Sequence, residues 1–252
     1  MTPQNYLREG ERIDDLQTAG LRILQHPARF LFGTDSVLLA HFAHAPKGSS
    51  WMDLGTGTGI LPLLILARRP LDRFDAVEIQ KAAADMAARS VALNGLGERI
   101  AVHPMDMLDA PAFFGHGRFD AVVCNPPYGK RGGSLHNPNL AIAIARHEVA
   151  ITLPQVVSVA GKLLKNGGGF FLTHQAERFF ELAALLQAEK LEPKRVRLLH
   201  PAPGRPAHLV LVESVKLAKG GASFLPPLFI HDASGQVSEE MRAIYAGEHD
   251  IL

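Results

Sequence analysis

The chain predicts an α/β fold with a mainly parallel sheet covered by helices on both faces. Three observations lead there. Short apolar runs alternate with helical stretches of ten or more residues, the pattern of repeated strand–helix–strand units. A glycine-rich turn, Gly55-Thr56-Gly57-Thr58-Gly59, follows the apolar run Trp51 to Leu54 and opens a helix. Near the end, two apolar runs, Val196 to His200 and His208 to Val212, are joined by a turn too short for a crossover helix. They must therefore pair antiparallel.

Each element has its own signal. Leu21 to Gln25 and Phe30 to Phe32 read as short strands, and Thr34 or Asp35 can cap a helix from about Ser36 to His44. Trp51 to Leu54 is a buried strand, and the helix after the glycines runs through Leu66 to a stop at Arg68-Arg69-Pro70. Phe74 to Ile79 is a strand. Lys81 to Leu93 is an alanine-rich helix ended by Asn94-Gly95. Ile100 to His103 and Phe119 to Cys124 are strands, Leu153 to Lys165 a helix ended by Asn166-Gly167-Gly168-Gly169, Phe170 to Thr173 a strand, and Glu177 to Glu189 a helix.

Composition narrows the function classes. The chain has 252 residues, 47% of them hydrophobic, enough for one large core. A net charge of +1 gives no global signal for nucleic acid, so charge is read locally. Lys190, Lys194, Arg195, Arg197, Arg205, Lys216 and Lys219 form a basic segment that can face phosphates or can be the solvated face of a strand pair. A single cysteine, Cys124, excludes an internal disulfide or a thiolate metal cluster, and no histidine stands in a metal-binding motif. His41 and His44 share a helical face and read as surface residues, so no metal is expected. The polar, mixed-charge start is no signal peptide, and no run of eighteen apolar residues exists to span a membrane. A cytoplasmic monomer is expected.

The glycine turn has the spacing G-x-G-x-G behind an acid, Asp53. A dinucleotide fingerprint has a different spacing, and no lysine follows in the Walker position. The turn resembles the first motif of enzymes that use S-adenosylmethionine, whose ammonium an acid and nearby carbonyls attract. Glu78, at the end of the next strand, stands where a carboxylate accepts ribose hydroxyls, though that feature alone also fits NAD. Asp106, after the third strand, is placed to accept from an adenine amino group.

Asn125-Pro126-Pro127-Tyr128 follows the strand Phe119 to Cys124. Two prolines fix two φ angles and remove two donors, leaving a rigid loop with outward carbonyls suited to gripping an NH2 group. The tetrad resembles the catalytic motif of methyltransferases acting on adenine N6, cytosine N4, guanine N2 or a glutamine amide. Alternatives stay open here: a protein glutamine or a guanine N2 as acceptor, a non-catalytic binding module, and an NAD oxidoreductase.

Further segments sharpen the resemblance: Phe30-Leu31-Phe32-Gly33-Thr34-Asp35-Ser36-Val37-Leu38-Leu39-Ala40, Val77-Glu78-Ile79-Gln80, Ala145-Arg146-His147-Glu148, His200-Pro201-Ala202-Pro203-Gly204-Arg205-Pro206 and Pro226-Pro227-Leu228. Together with the two loops they make the chain similar, over nearly its whole length, to a bacterial family of tRNA N6-adenosine methyltransferases. That resemblance implies the class I methyltransferase fold, with a mainly parallel seven-stranded sheet and an antiparallel edge hairpin. It implies a catalytic domain over 46–215 between an N-terminal extension, 1–45, and a C-terminal extension, 216–252. Asn125, Pro126, Pro127 and Tyr128 would hold the adenine. Asp53, Gly55, Gly57, Gly59, Glu78, Ile79, Asp106 and Met107 would hold S-adenosylmethionine, with S-adenosylhomocysteine as product. The implied partner is tRNA, characteristically adenosine 37 of a valine tRNA. Lys130, Arg131, Lys194, Arg195, Arg197 and Arg205 would meet its phosphates.

Overall fold

A computed structural model describes residues 3–27, 31–69, 72–126 and 151–247 of the chain. An antiparallel hairpin, β1 (Arg12–Asp15) and β2 (Arg22–Gln25), comes first, and α1 (Thr34–Phe42) follows. The alternating core is β3 (Ser50–Leu54), α2 (Ile60–Arg68), β4 (Arg73–Val77), α3 (Lys81–Leu93), β5 (Ile100–His103), the short α4 (Ala110–Phe114) and β6 (Phe119–Cys124). Then come α5 (Leu153–Leu163), β7 (Leu164–Gln175), α6 (Phe179–Ala188), β8 (Leu191–His200) and β9 (Leu209–Lys216). Two-residue strands β10 (Ser223–Phe224) and β11 (Leu228–Phe229) and the helix α7 (Glu239–Tyr245) complete the described residues.

The main sheet has the order β10-β8-β9-β7-β6-β3-β4-β5, with β11 also on β8, nine strands among the described residues. Only β9 runs against its neighbours, β7 and β8. Seven of these strands make the class I methyltransferase sheet that the sequence predicts, and β10 and β11 add a short parallel margin to β8.

Two cores lie on the two faces. One gathers Leu38, Leu39, Phe42, Trp51, Leu63 and Phe171 with Met241 and Ile244 of α7. The other gathers Met52, Leu54, Val122, Phe170, Val157 and Leu186. Trp51 and Met52 point to opposite faces because successive strand residues alternate. Helix α1 is nearly all buried, with Val37, Leu38, Leu39, Ala40 and Phe42 in the core and Ser36 and His41 buried beside it. It is a structural layer of the sheet, with no polar outer face.

Several local expectations are corrected. Helix α1 begins at Thr34, and Gly33 stands at its N-cap, with no side-chain cap; Asp35 instead accepts from the Ser36 N–H at 2.9 Å. Leu31 and Phe32 form no strand, and Phe30 lies outside the described residues. The run Asn166 to Gly169 does not separate a helix from a strand; it belongs to β7, which starts at Leu164. The ladder partners Phe119 with Leu164 but Ala121 with Gly169, so the residues between bulge out. A Cβ on Gly168 would meet the Asp120 carbonyl at 3.0 Å, which explains a glycine in that bulge. His41 is 4% exposed, so its expected surface position is wrong; His44 packs edge-on against Phe171.

Candidate active site

Parallel strands deliver their following loops to one edge of the sheet, and that edge is where α/β folds bind ligands. Asp53 and Leu54 end β3, Glu78 follows β4, Asp106 follows β5 and Asn125 follows β6. The four polar residues predicted from sequence therefore sit along one rim.

The glycine turn is tied to that rim through its backbone. The N–H groups of Gly55 and Thr56 both donate to the Val77 carbonyl at 3.0 Å. The Gly57 N–H donates to Glu78 Oε2 at 3.0 Å, from a residue in the left-handed region with φ +57°. Gly59, φ +90°, caps α2, and a Cβ there would come within 3.3 Å of Ala87 on α3. Left-handed backbone and close packing together demand glycine. Met107 packs under the turn, its Cε 3.4 Å from where a Gly55 Cβ would stand.

Asp53 is wholly buried, and neither carboxylate oxygen has a hydrogen-bond partner. Burial pushes its pKa up to about 7; the Thr56 hydroxyl nearby opposes that rise without reaching hydrogen-bond geometry, and the charge of Glu78 adds to it. A buried carboxylate without partners is costly unless something cationic arrives to pair with it. Glu78 is 6% exposed and its pKa is also raised by burial, opposed by the N–H groups of Gln80 and Gly57, which donate to its two oxygens at 2.9 and 3.0 Å. Each oxygen keeps a lone pair for a further donor. Ile79 beside it is 56% exposed and offers an apolar shelf at the rim. Asp106 accepts from the Leu108 N–H at 2.9 Å, capping the 3₁₀ turn Met107–Asp109.

Asn125 faces the glycine turn across a pocket of ≈ 170 Å³ lined by Phe32, Ser36, Gly55, Thr56, Gly57 and Asn125 itself. Its amide is held from two sides. Thr173, fully buried on β7, donates to Asn125 Oδ1 at 2.6 Å, and Asn125 Nδ2 donates to Ser36 Oγ on α1 at 2.9 Å. Ser36 lies in the family-like segment that opens α1, but Thr173 carries no motif of its own; the parallel register makes it the strand neighbour of Asn125, since Cys124 partners Leu172. Pro126 is buried behind Asn125, and Pro127 and Tyr128 lie outside the described residues. Cys124 donates to the Leu54 carbonyl, and burial drives its pKa well up, so it is a neutral strand residue and no nucleophile.

The predicted phosphate-binding cations divide. Arg195 pairs with Glu213, donates to the Phe42 carbonyl at 2.9 Å and lies over the Phe42 ring at 4.6 Å. Arg197, 6% exposed, donates to Glu240 at 2.6 Å and to the Pro226 carbonyl at 2.8 Å. Both are engaged inside the protein, where they bolt the hairpin to α1, to the late prolines and to α7. Lys194 donates to the carbonyls of Lys219 and Gly221 at 3.2 and 2.7 Å. Arg205 is exposed on the turn between β8 and β9, where His200 approaches its carbonyl at 2.7 Å. Lys130 and Arg131, like Arg146 and Glu148, lie outside the described residues.

Among the described residues no cluster of three or more acids, histidines or cysteines is placed to hold a metal ion. No described helix is long and apolar enough to cross a membrane.

Comparison with known proteins agrees with this geometry. Residues 32–189 match the model of the methyltransferase small domain, a span that begins just before α1. The chain is 32% identical over 216 residues to a protein of Porphyromonas gingivalis (strain ATCC 33277) named tRNA1(Val) (adenine(37)-N6)-methyltransferase, covering 82% of this chain and 84% of that one. Among solved structures, a predicted O-methyltransferase from Agrobacterium tumefaciens superposes with a TM-score of 0.69 at 22% identity, over 85% of this chain and 97% of its own. A geranyl diphosphate C-methyltransferase from Streptomyces coelicolor, solved with S-adenosyl-L-homocysteine, superposes with a TM-score of 0.54 at 16% identity, over 71% and 75%.

Proposed function

Because this chain belongs to the methyltransferase small domain family, we propose that it methylates N6 of an adenine in tRNA, with adenosine 37 of a valine tRNA as the target. It is an S-adenosylmethionine-dependent methyltransferase. The observation that carries the finer reading is the meeting of two loops at one pocket: the glycine turn lines one side and Asn125, which opens the proline tetrad, lines the other.

The residues fit the cofactor. The partnerless Asp53 carboxylate awaits a positive charge, and S-adenosylmethionine brings an ammonium and a sulfonium. Glu78 would accept the ribose hydroxyls with its remaining lone pairs, Ile79 would cover a flat ring, and Met107 would support the turn from below. When bound, the cofactor supplies an electrophilic methyl group on sulfur.

The protein's own task is then to prepare a poor nucleophile. The lone pair of an exocyclic NH2 is delocalised into the ring. Asn125 Oδ1 and the Pro126 carbonyl would accept its two hydrogens, drawing the nitrogen toward tetrahedral geometry and turning its lone pair to the methyl. Such preorganised acceptors act where charge develops, and orientation supplies much of the remaining rate. Tyr128 would stack on the base. A base in a loop is cheaper to expose than one in a duplex, which suits an anticodon-loop target. Support for adenine over other acceptors comes from the relatives' names and from the sequence segments that resemble that family.

The direct test is transfer from labelled cofactor to unmodified tRNA followed by nucleoside analysis. N6-methyladenosine is expected, and inosine at the target should abolish transfer because it lacks the NH2. Label in a ribosomal protein or release factor, with none in RNA, would move the acceptor to a glutamine amide. Asn125→Ala should cut turnover by roughly 10²- to 10³-fold, the scale for losing one preorganised transition-state partner. It should leave cofactor affinity within a few-fold, because Asn125 faces the acceptor.

A further inference from the structure

We propose that Ser36 and Thr173 are positioning residues that clamp the Asn125 side chain so that its carbonyl faces the acceptor amine. The inference rests on reading this site as an amine methyltransferase, and it assigns a role to α1 that goes beyond packing.

An asparagine amide is nearly symmetric in shape, but its two ends have opposite roles. If the amide turned over, an NH2 would confront the NH2 of the acceptor, and two donors would meet with no acceptor between them. Asn125 follows a strand and precedes a proline, so its backbone is fixed, yet two side-chain torsions are left free. Two hydroxyls hold those torsions from both sides, with Oδ1 lying toward Thr173 and Nδ2 toward Ser36. Thr173 approaches from β7 at 2.6 Å and is wholly buried; Ser36 approaches from α1 at 2.9 Å and is 5% exposed. The two hydroxyls come from elements far apart in the chain, and Asn125 sits between them in the pocket that the glycine turn also lines. An amide carbonyl has two lone pairs, and the Thr173 bond takes up one of them.

The placement also explains a feature of α1. Ser36 is a polar residue on a helix otherwise packed with Val37, Leu38, Leu39 and Phe42. It stands in the first turn of α1, and its buried hydroxyl partners the side chain that would touch substrate.

Thr173→Val keeps the shape and removes the donor; Thr173→Ser keeps the donor. Under saturating tRNA and cofactor, Thr173→Val should lower kcat by about 10- to 100-fold, the scale of a small misplacement of a reacting group. Thr173→Ser should restore most of the loss, and cofactor Kd by calorimetry should stay within about two-fold. In an Asn125→Ala background, Thr173→Val should cost nothing more, because its effect runs through Asn125. An unchanged kcat in Thr173→Val, a serine variant as slow as the valine one, or additive losses in the double variant would each overturn the clamp.

A second measurement does not depend on the acceptor. The Asn125 side-chain NH2 resonances, identified by their loss in Asn125→Ala, should exchange slowly with solvent, and faster in Ser36→Ala. Exchange in the wild type as fast as that of exposed asparagines would refute the clamp. If wild-type protein moves no methyl onto tRNA, the proposed substrate falls, while these resonances still decide the clamp.

Discussion

Asp53 and Asp72 are both completely buried, and they sit at opposite ends of the same strand layer. Asp72, just before β4 at the amino edge, is saturated: it accepts from the N–H groups of Gly48 and Ser49 at 2.7 and 3.2 Å and from Trp51 Nε1 at 2.8 Å. Asp120 beside it accepts from Ser50 and Lys165. Asp53, at the carboxyl edge, has no partner on either oxygen. One end of the sheet uses a buried acid, Asp72, and a half-buried one, Asp120, to close loops onto strands. The other holds a buried acid unsatisfied. Burial alone does not identify a site; an unpartnered buried acid at the ligand-binding edge of the sheet points to one.

The sharpest way to break this comparison is to remove both acids. Asp72→Ala leaves two backbone donors and an indole N–H buried, each costing about 1–3 kcal/mol, so the protein should lose several kcal/mol of stability. Urea unfolding reads that loss, and variants that still fold should bind cofactor normally. If Asp72→Ala were as stable as wild type, the amino-edge network would not be what closes that end.

Asp53→Asn should do the reverse. A carboxyl whose pKa is raised in the folded state, from 3.8 to about 7, makes the fold hold a proton that the unfolded chain releases. Its contribution is therefore fully favourable below about pH 4, declines as pH rises toward 7, and is flat above that. The decline is on the order of 4 kcal/mol as an upper figure. In the Asp53→Asn variant the decline should vanish, and cofactor at one fixed concentration should stabilise the wild type more than the variant at pH 8. A wild-type stability that rises with pH between 4 and 7 would sink the account of Asp53, provided other acids are corrected by the difference from the variant.

A smaller effect belongs to Glu78, whose oxygens are partly satisfied by Gly57 and Gln80. Glu78→Ala should weaken cofactor binding by about 1.5–3 kcal/mol for each ribose hydroxyl that no longer finds its acceptor. Calorimetry checks it, and wild-type affinity would remove Glu78 from the ribose.

The carboxyl edge is legible in sequence because each of its residues carries a local signature: an acid at a strand end, glycines before a helix, asparagine before proline. What is not legible depends on partners far along the chain. Thr173 looks like an ordinary strand residue until the register places it beside Asn125. Arg195 and Arg197 look like a basic surface, but their partners Glu213 and Glu240 come 18 and 43 residues later. The strand through Gly167 and Gly168 is hidden for a different reason. Glycines signal a turn in sequence, whereas here they form a bulge inside the ladder.

The same distinction between satisfied and unsatisfied groups orders the cations, and it gives the smallest expected effect. Arg195 and Arg197 are engaged inside the protein, so Arg197→Ala should lower stability by leaving Glu240 and the Pro226 carbonyl without their donor, and should leave the salt dependence of tRNA binding unchanged. Arg205 is exposed on the β8–β9 turn, which falls at the same edge as Asn125 because β8 runs in the direction of β6 and β7. If it meets one phosphate, Arg205→Ala should weaken tRNA binding about equally for all sequences and flatten the plot of log affinity against log salt by about one unit. Filter binding over a range of salt measures both. A slope that flattens in Arg197→Ala but not in Arg205→Ala would reverse the assignment and show that a buried ion pair opens to receive RNA.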